Sequence, residues 1–259
     1  MIRVVKIGGN VVDDQHALER FCREFAAMEG PKVLVHGGGV MASELQRRMG
    51  MEPVMVEGRR VTDEDTLKVV TMVYAGWCNK RIVSLLQGLG CNAMGLSGCD
   101  ANVIRAEKRG PRTLSDGVTK VDYGYVGDVS KDSVNGGLIT QLLEMGIIPV
   151  FCAINHDAHG TLLNTNADTI ASSISSAINA ELLYCFEKNG VLCNIFDESS
   201  VIPVISRADF VRLKADGIIS DGMLPKIENA FKALETGASG VVIRSSSNLL
   251  DNSGTRIVL

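Results

Sequence analysis

Five places in the chain combine residue types suited to holding a negatively charged group. In "VVKIGGN", Lys6 stands near the end of an apolar run, just ahead of Gly8, Gly9 and Asn10. A lysine charge there is expensive to bury unless an anion meets it. In "VHGGGVMASEL", Gly37, Gly38 and Gly39 lie between a strand pattern and a helix pattern. They leave bare backbone N–H groups at the positive end of that helix, where an anion can approach. "LLNTNAD" places Asn164, Asn166 and Asp168 at the start of a helix that carries no charge from Thr169 to Ala180. Asp168 therefore sits at the mouth of the core and needs a cationic or hydrogen-bonding partner. "SDGMLPKI" puts Lys226 in a first helical turn behind Pro225, where the helix dipole mildly disfavours a cation and service to an anion explains it better. "EGRR" adds Arg59 and Arg60, and one guanidinium can grip a carboxylate bidentately.

Each feature also has a plain structural reading. The glycines can serve tight turns, Asn and Asp can cap a helix, and the lysines and arginines can be solvated. Gly37, Gly39 and Ala42 also satisfy G-x-G-x-x-A, with Glu57 ending a plausible next strand. That is the outline of a dinucleotide fingerprint, but it leaves Lys6, Gly8 and Gly9 unexplained. The chain has no G-x-x-x-x-G-K-[ST] and no G-x-S-x-G. "HDAH" lacks the spacing of a helical metal pair and reads as a hairpin turn, and His36, at a strand end, reads as structural.

Strand–helix alternation positions these groups. Val/Ile-rich runs predict strands at residues 2–7, 32–36, 93–96, 147–153, 181–186 and 240–243. Helical patterns fall between them, among them a long helix over residues 63–89 with Asp63, Glu64 and Asp65 in its first turn. The pattern predicts a mostly parallel α/β sheet with helices on both faces and right-handed crossovers. The polar stretches "NVIRAEKRGPR" to "DYGYVGDVS" and "FCAINHDAHGTLLNTNAD" read as hairpins, and Asp221–Gly222 as a turn. No Pro-rich linker or solenoid repeat interrupts the chain, so two lobes would have to share one sheet.

The 259 residues are 46% hydrophobic and 22% charged, with a formal net charge of -4. This is a globular composition, and its mild acidity gives no reason to expect a nucleic-acid partner. Seven cysteines without a C-x-x-C suit reduced, mostly buried thiols in a cytoplasmic protein. No apolar run is long enough to cross a bilayer, and the opening strand leaves no room for a signal peptide, so no membrane association is expected.

In order, "VVKIGGN", "VHGGG", "EGRRVTD", "GLSGCDANVI", "DYGYVGDV", "IPVFCAIN", "LLNTNAD", "DGMLPKI" and the closing "GTRIVL" resemble the sequence blocks of the N-acetylglutamate kinases, within the amino-acid kinase family. The resemblance implies a three-layer α/β/α sandwich around a mainly parallel, roughly eight-stranded sheet. An N-terminal lobe, residues 1–178, would hold an N-acylglutamate and the dimer contact. A C-terminal lobe, residues 179–259, would hold ATP, with Mg²⁺ bound mainly by phosphates and no protein metal site. The implied reaction moves the γ-phosphoryl of ATP to the side-chain carboxylate, giving an acyl phosphate for arginine biosynthesis. By the same resemblance, Lys6 and Lys226 meet the transferring phosphoryl and Asp168 orients both lysines. Gly38, Gly39, Arg60 and Asn164 bind the acylated amino acid. Gly8, Gly9, Asn10, Glu187, Asn189, Gly190 and Ser220 lie on the nucleotide side. Arginine-inhibited members carry an N-terminal helix ahead of the first strand, so a homodimer without arginine feedback is expected, with the long helix at its interface.

The chain departs from the family pattern at four points. "FEKNGVL" replaces the usual "TDVSGVL" at the nucleotide turn, Cys99 stands where lysine is common, and Trp77 and Cys78 interrupt the long helix. Arg59 replaces an aliphatic residue, and its extra charge makes N-succinylglutamate an alternative substrate. A non-catalytic nucleotide or amino-acid sensor is the alternative of another class. It is favoured by loss of either lysine or of Asp168, and all three are present.

Overall fold

The computed structural model describes residues 1–219, 223–251 and 253–259. Eight strands form the central sheet: β1 (Arg3–Ile7), β2 (Lys32–His36), β3 (Ala93–Leu96), β4 (Ile148–Phe151), β5 (Glu181–Phe186), β6 (Val204–Ile205), β7 (Gly240–Ser245) and β8 (Thr255–Ile257). Their order across the sheet is β6-β8-β7-β5-β1-β2-β4-β3. All neighbours run parallel except β7 and β8. The middle strands β1, β2, β5 and β7 are buried almost throughout, as parallel strands covered on both faces must be.

The helices are α1 (Gly9–Asp13), α2 (Gln15–Ala27), α3 (Gly39–Arg48), α4 (Glu64–Thr71), α5 (Asn79–Gly88), α6 (Gly136–Glu144), α7 (Ala167–Ala177), α8 (Arg207–Ala215) and α9 (Leu224–Thr236). In α2, Leu18, Phe21, Cys22 and Phe25 form the buried stripe that their spacing predicts, and Asp14 caps the start by accepting from the Ala17 N–H. The glycines after β1 do not lead into a turn, as the sequence suggested. Gly9 opens α1 directly, and Gly8, in extended conformation, is the one residue between strand and helix.

The predicted long helix is one rod in three parts. Asp63 caps α4 through the Thr66 N–H, a π-helical segment runs from Met72 to Cys78, and α5 ends at Gly88. The β4 run is shorter than predicted, because the chain leaves the sheet for a hairpin pairing Ile154–His156 with Leu162–Asn164. A second hairpin pairs Met55–Val56 with Arg59–Arg60. Two more, Glu107–Lys108 with Gly127–Asp128 and Arg112–Thr113 with Lys120–Val121, fill the polar stretch read as hairpins. Five cysteines are buried, Cys99 is half-buried and Cys193 is exposed, so the expectation of mostly buried thiols holds with these two exceptions. Among the described residues, no helix is long and apolar enough to cross a membrane.

Candidate active site

The candidate residues gather where β1, β2 and β5 end and the N-termini of α1, α3, α7 and α9 begin, the edge of an open α/β sheet that binds ligands. Lys6, the fourth residue of β1, is 7% exposed. Its Nζ lies 2.7 Å from Asp168 Oδ1. Asp168 stands in the first turn of α7. Asn166 caps that turn, its Oδ1 accepting from the N–H groups of Asp168 at 2.8 Å and Thr169 at 3.2 Å. Tyr184, fully buried on β5, donates its hydroxyl to the Asp168 carbonyl at 2.9 Å. The buried charge expected at Lys6 thus meets the carboxylate expected to need it.

Lys226 approaches from α9. Its Nζ sits 3.7 Å from the centre of the Phe186 ring, and Lys6 Nζ lies 5.3 Å from the same centre. Burial holds the Lys226 ammonium below the usual lysine range. Asp168 pulls it back up, Lys6 pushes it down and Glu187 pulls it up, in that order of weight. Together these residues close one end of a cavity of roughly 310 Å³ whose walls include Gly8, Gly9, Asn10, Glu187 and Gly190. A Cβ on Gly8 or Gly9 would make only ordinary contacts, at 3.8 and 3.6 Å. Packing therefore does not demand these glycines, and they leave backbone open toward the cavity. Asn10 Nδ2 donates to Glu187 Oε1 at 2.6 Å, tying the α1 start to the turn after β5.

Gly190 differs from the expectation that its role is nucleotide contact alone. A Cβ there would lie 2.8 Å from both Thr255 Oγ1 and Val201 Cγ1, so packing also requires a glycine. Lys188 lines the cavity, whereas Asn189 is not among its wall residues. Ser220 and the Asp221–Gly222 turn lie outside the described residues.

A second cavity, of roughly 230 Å³, opens beside the first, its wall running through Gly37, Gly38, Gly39, Arg60, Asn164 and Ala167. Arg60 is buried and rigidly held. Its Nη1 donates to Gln46 Oε1 at 2.5 Å, and its Nη2 donates to Gly39 O at 2.9 Å and Ser43 Oγ at 2.7 Å. Asn164 Nδ2 donates to Thr62 Oγ1 at 3.1 Å. Gly38 has a steric reason as well: a Cβ would come within 2.9 Å of Tyr74 Cδ1 and 3.0 Å of Cys78 Sγ. Arg59 and the buried Arg109 also reach this wall, and Arg109 is paired with Asp128 at 2.5 Å.

Sequence reasoning missed Phe186, Tyr74, Gln46, Thr62 and Arg109 as contributors. Gln46 carried the one available signal, a polar residue on the buried side of α3. His36 is structural, as read: Asn79 Nδ2 donates to its Nε2 at 3.1 Å, and its Nδ1–H donates to Gly37 O at 2.8 Å.

The geometry is two cavities at one edge of the sheet, one walled by Lys6 and Lys226 and the other by Arg60, with Asp168 holding Lys6 and helix N-termini at the same edge. It can hold two anions side by side and neutralise charge between them. The sequence profile described as the amino acid kinase family matches residues 1–245. The chain belongs to the amino acid kinase family. Within that family it is 49% identical to the acetylglutamate kinase of Bacteroides thetaiotaomicron, over 99% of this chain and 98% of that protein. The structure of smu.665 from Streptococcus mutans superposes with a TM-score of 0.77 at 28% identity, covering 99% of this chain and 98% of that one. The N-acetylglutamate synthase of Neisseria gonorrhoeae, complexed with coenzyme A and N-acetyl-glutamate, shares the fold at a TM-score of 0.81 and 21% identity, over all of this chain and 59% of that one.

Proposed function

We propose that the protein is an acetylglutamate kinase: it transfers the γ-phosphoryl of ATP to the side-chain carboxylate of N-acetyl-L-glutamate, forming N-acetyl-L-glutamyl 5-phosphate for arginine biosynthesis. The observation that carries this reading is the Lys6–Asp168 pair, with Lys226 in the same cavity wall as Lys6, at the sheet edge that also bears the cavity with Arg60. Its 49% identity to a named acetylglutamate kinase supports the choice of substrate.

In this reading the acylated amino acid lies in the cavity with Arg60, which grips the α-carboxylate while Asn164 and the Gly38–Gly39 backbone hold the rest. ATP lies against Gly8, Gly9, Asn10 and the turn at Glu187, with Asn189, Gly190 and Ser220 assigned to the same side. An oxygen of the side-chain carboxylate attacks the γ-phosphorus, and the bond to the β,γ-bridging oxygen breaks, leaving its electron pair on ADP. No general base is needed, because the carboxylate is already ionised near neutral pH. Protein chemistry here is positioning and charge neutralisation. Lys6, fixed by Asp168, approaches the phosphoryl oxygens from the acceptor side, and Lys226 from the nucleotide side. Among the described residues no three His, Cys, Asp or Glu side chains converge as a metal cage. Asp168 is engaged by Lys6 and Glu187 by Asn10, so Mg²⁺ would be held mainly by the phosphates of ATP and would neutralise part of their charge.

The lobes divide near residue 178: the acceptor site lies before it, and the nucleotide site joins Gly8, Gly9 and Asn10 to the turn at Glu187 and to Lys226 in the C-terminal lobe. The protein acts in the cytoplasm as a homodimer, its interface on the rod from α4 to α5, where Trp77 is 63% exposed. An ATP-dependent hydroxamate assay tests the reaction, with N-acetylglutamate, N-succinylglutamate and glutamate side by side. Trapped acyl phosphate from the acetyl compound is the expected result. Preference for the succinyl compound would reassign the acyl pocket to Arg59, and no product from any of them would remove the kinase reading.

A further inference from the structure

Lys6 has a carboxylate partner, whereas Lys226 has an aromatic face. Among the described residues no carboxylate comes within ion-pair distance of Lys226 Nζ, and the group it sits on, at 3.7 Å, is the ring of Phe186. The ring is itself fixed. Tyr184 and Phe186, two apart on β5, project from the same face of the sheet and stack with centroids 6.2 Å apart and planes 22° apart. The Tyr184 hydroxyl holds the Asp168 carbonyl, so one strand fastens the start of α7 and seats both lysines. Phe186 also forms part of the cavity wall between Lys6 and Lys226.

Building on the kinase reading above, we propose that Phe186 is a positioning residue: its ring face keeps the Lys226 ammonium charged and aimed into the nucleotide cavity, yet free to move to arriving phosphate oxygens. The physical reason lies in the alternatives. An aliphatic side chain would leave a desolvated ammonium beside the like charge of Lys6. A carboxylate would bind Lys226 in a pair that must break before phosphate could replace it. An aromatic quadrupole attracts the cation from below and leaves its three N–H bonds available. The charged groups facing Lys226 are Lys6 from β1, Asp168 from α7, and Glu187 and Lys188 from the turn after β5. Of these, Lys6 and Lys188 carry its own sign. Lys188 is paired with Glu198, so Lys6 and Lys226 are the ammonium groups that repel each other where a triphosphate is to enter, and the ring tempers that repulsion until it does.

The test replaces Phe186 with Leu, Tyr and Trp, and with mono-, di- and trifluorinated phenylalanine, which weaken the ring's negative face while keeping its shape. In the hydroxamate assay, Phe186→Leu is expected to lower kcat roughly 3- to 30-fold. It should also move the alkaline limb of the pH profile down by about half a unit to a unit and a half, with KM for N-acetylglutamate little changed. Tyr and Trp should rescue, and kcat should fall stepwise with fluorination. A second readout needs no turnover. The Lys226 amine, methylated with ¹³C-formaldehyde and assigned through Lys226→Arg, should titrate at lower pH in the Leu and trifluoro proteins. An unchanged titration midpoint, or a flat fluorination series in an active enzyme, would overturn the role of Phe186. An inactive wild type whose Lys226 midpoint still follows the ring would overturn the kinase reading and leave the Phe186–Lys226 contact standing.

Discussion

Lys6 and Asp168 hold each other at 2.7 Å where β1 and α7 meet, with side chains only 9% and 15% exposed. In the proposed reaction, Lys6 shares its charge with an arriving phosphoryl oxygen while Asp168 keeps it from straying. Asp168→Asn should therefore lower kcat by at least about tenfold while the fold persists, since Asn retains the shape and part of the hydrogen bonding. Lys6→Ala and Lys226→Ala should each lower kcat by about 10²–10³, the range for removing a donor to developing charge. Steady-state kinetics with circular dichroism on each variant checks this. A near-normal rate for Lys226→Ala would remove the second lysine from the mechanism.

Arg60 is expected to act mainly on substrate binding. Its planar fork already engages Gln46, Ser43 and Gly39, which fixes its orientation toward the acceptor cavity. Lysine keeps the charge but loses the fork. Arg60→Lys should raise KM for the acylglutamate about 10- to 100-fold, the equivalent of one or two charged hydrogen bonds, and leave KM for ATP nearly unchanged. An equal rise in both constants would place Arg60 in general folding instead.

The sequence made most of this legible wherever a residue was expensive in its place. Lys6 and Asp168 stood out because a charge beside apolar or small residues needs a partner, and they partner each other; Lys226 stood out because a first helical turn disfavours a cation, and it rests on the Phe186 ring. The middle strands were legible because burial on both faces demands unbroken Val, Ile and Leu. The edge strand β6 and its neighbour β8 are only two and three residues long and left no such run. Phe186 and Tyr74 were illegible as site residues, since an aromatic in a strand or helix reads as core. The π-helical turn at Met72–Cys78 has no periodicity signal over seven residues, yet it supplies the Tyr74 and Cys78 atoms that exclude a side chain at Gly38.

His36 predicts an acid-sensitive fold. It is fully buried, and burial pushes its pKa down to about 4, outweighing the Gly37 carbonyl that favours the proton. Above pH 6.5 the ring is neutral in folded and unfolded chains alike and contributes no pH dependence. As pH falls from 6.5 toward 4, the unfolded chain takes up a proton that the folded one refuses, and stability drops by roughly 3 kcal/mol. His36→Gln removes that proton uptake. Urea denaturation from pH 7.5 to 4 should show a shallower loss in the variant than in the wild type. Parallel curves would mean that His36 is protonated in the folded protein.

Asp13 predicts the opposite trend over an overlapping range. Neither of its carboxylate oxygens has a hydrogen-bond partner among the described residues, although it ends α1 close to the start of α3. Burial raises its pKa to about 6; the Met41 backbone N–H draws it down, Glu44 raises it and Arg81 lowers it. A carboxyl whose folded pKa is raised stabilises the fold when protonated, so its contribution is fully present below pH 3.8 and is lost as pH rises through about 6. At pH 7.5 the ionised group is a burden that asparagine would not carry. Asp13→Asn should therefore raise Tm at pH 7.5 and have a smaller effect, or none, at pH 4. Because Asp13 and His36 act with opposite sign between pH 4 and 6, their effects offset there, and the double variant should have a stability profile closer to the wild type's over that range than either single variant's. A Tm gain for Asp13→Asn that is the same at both pH values would show that packing, and not the missing proton, sets its effect.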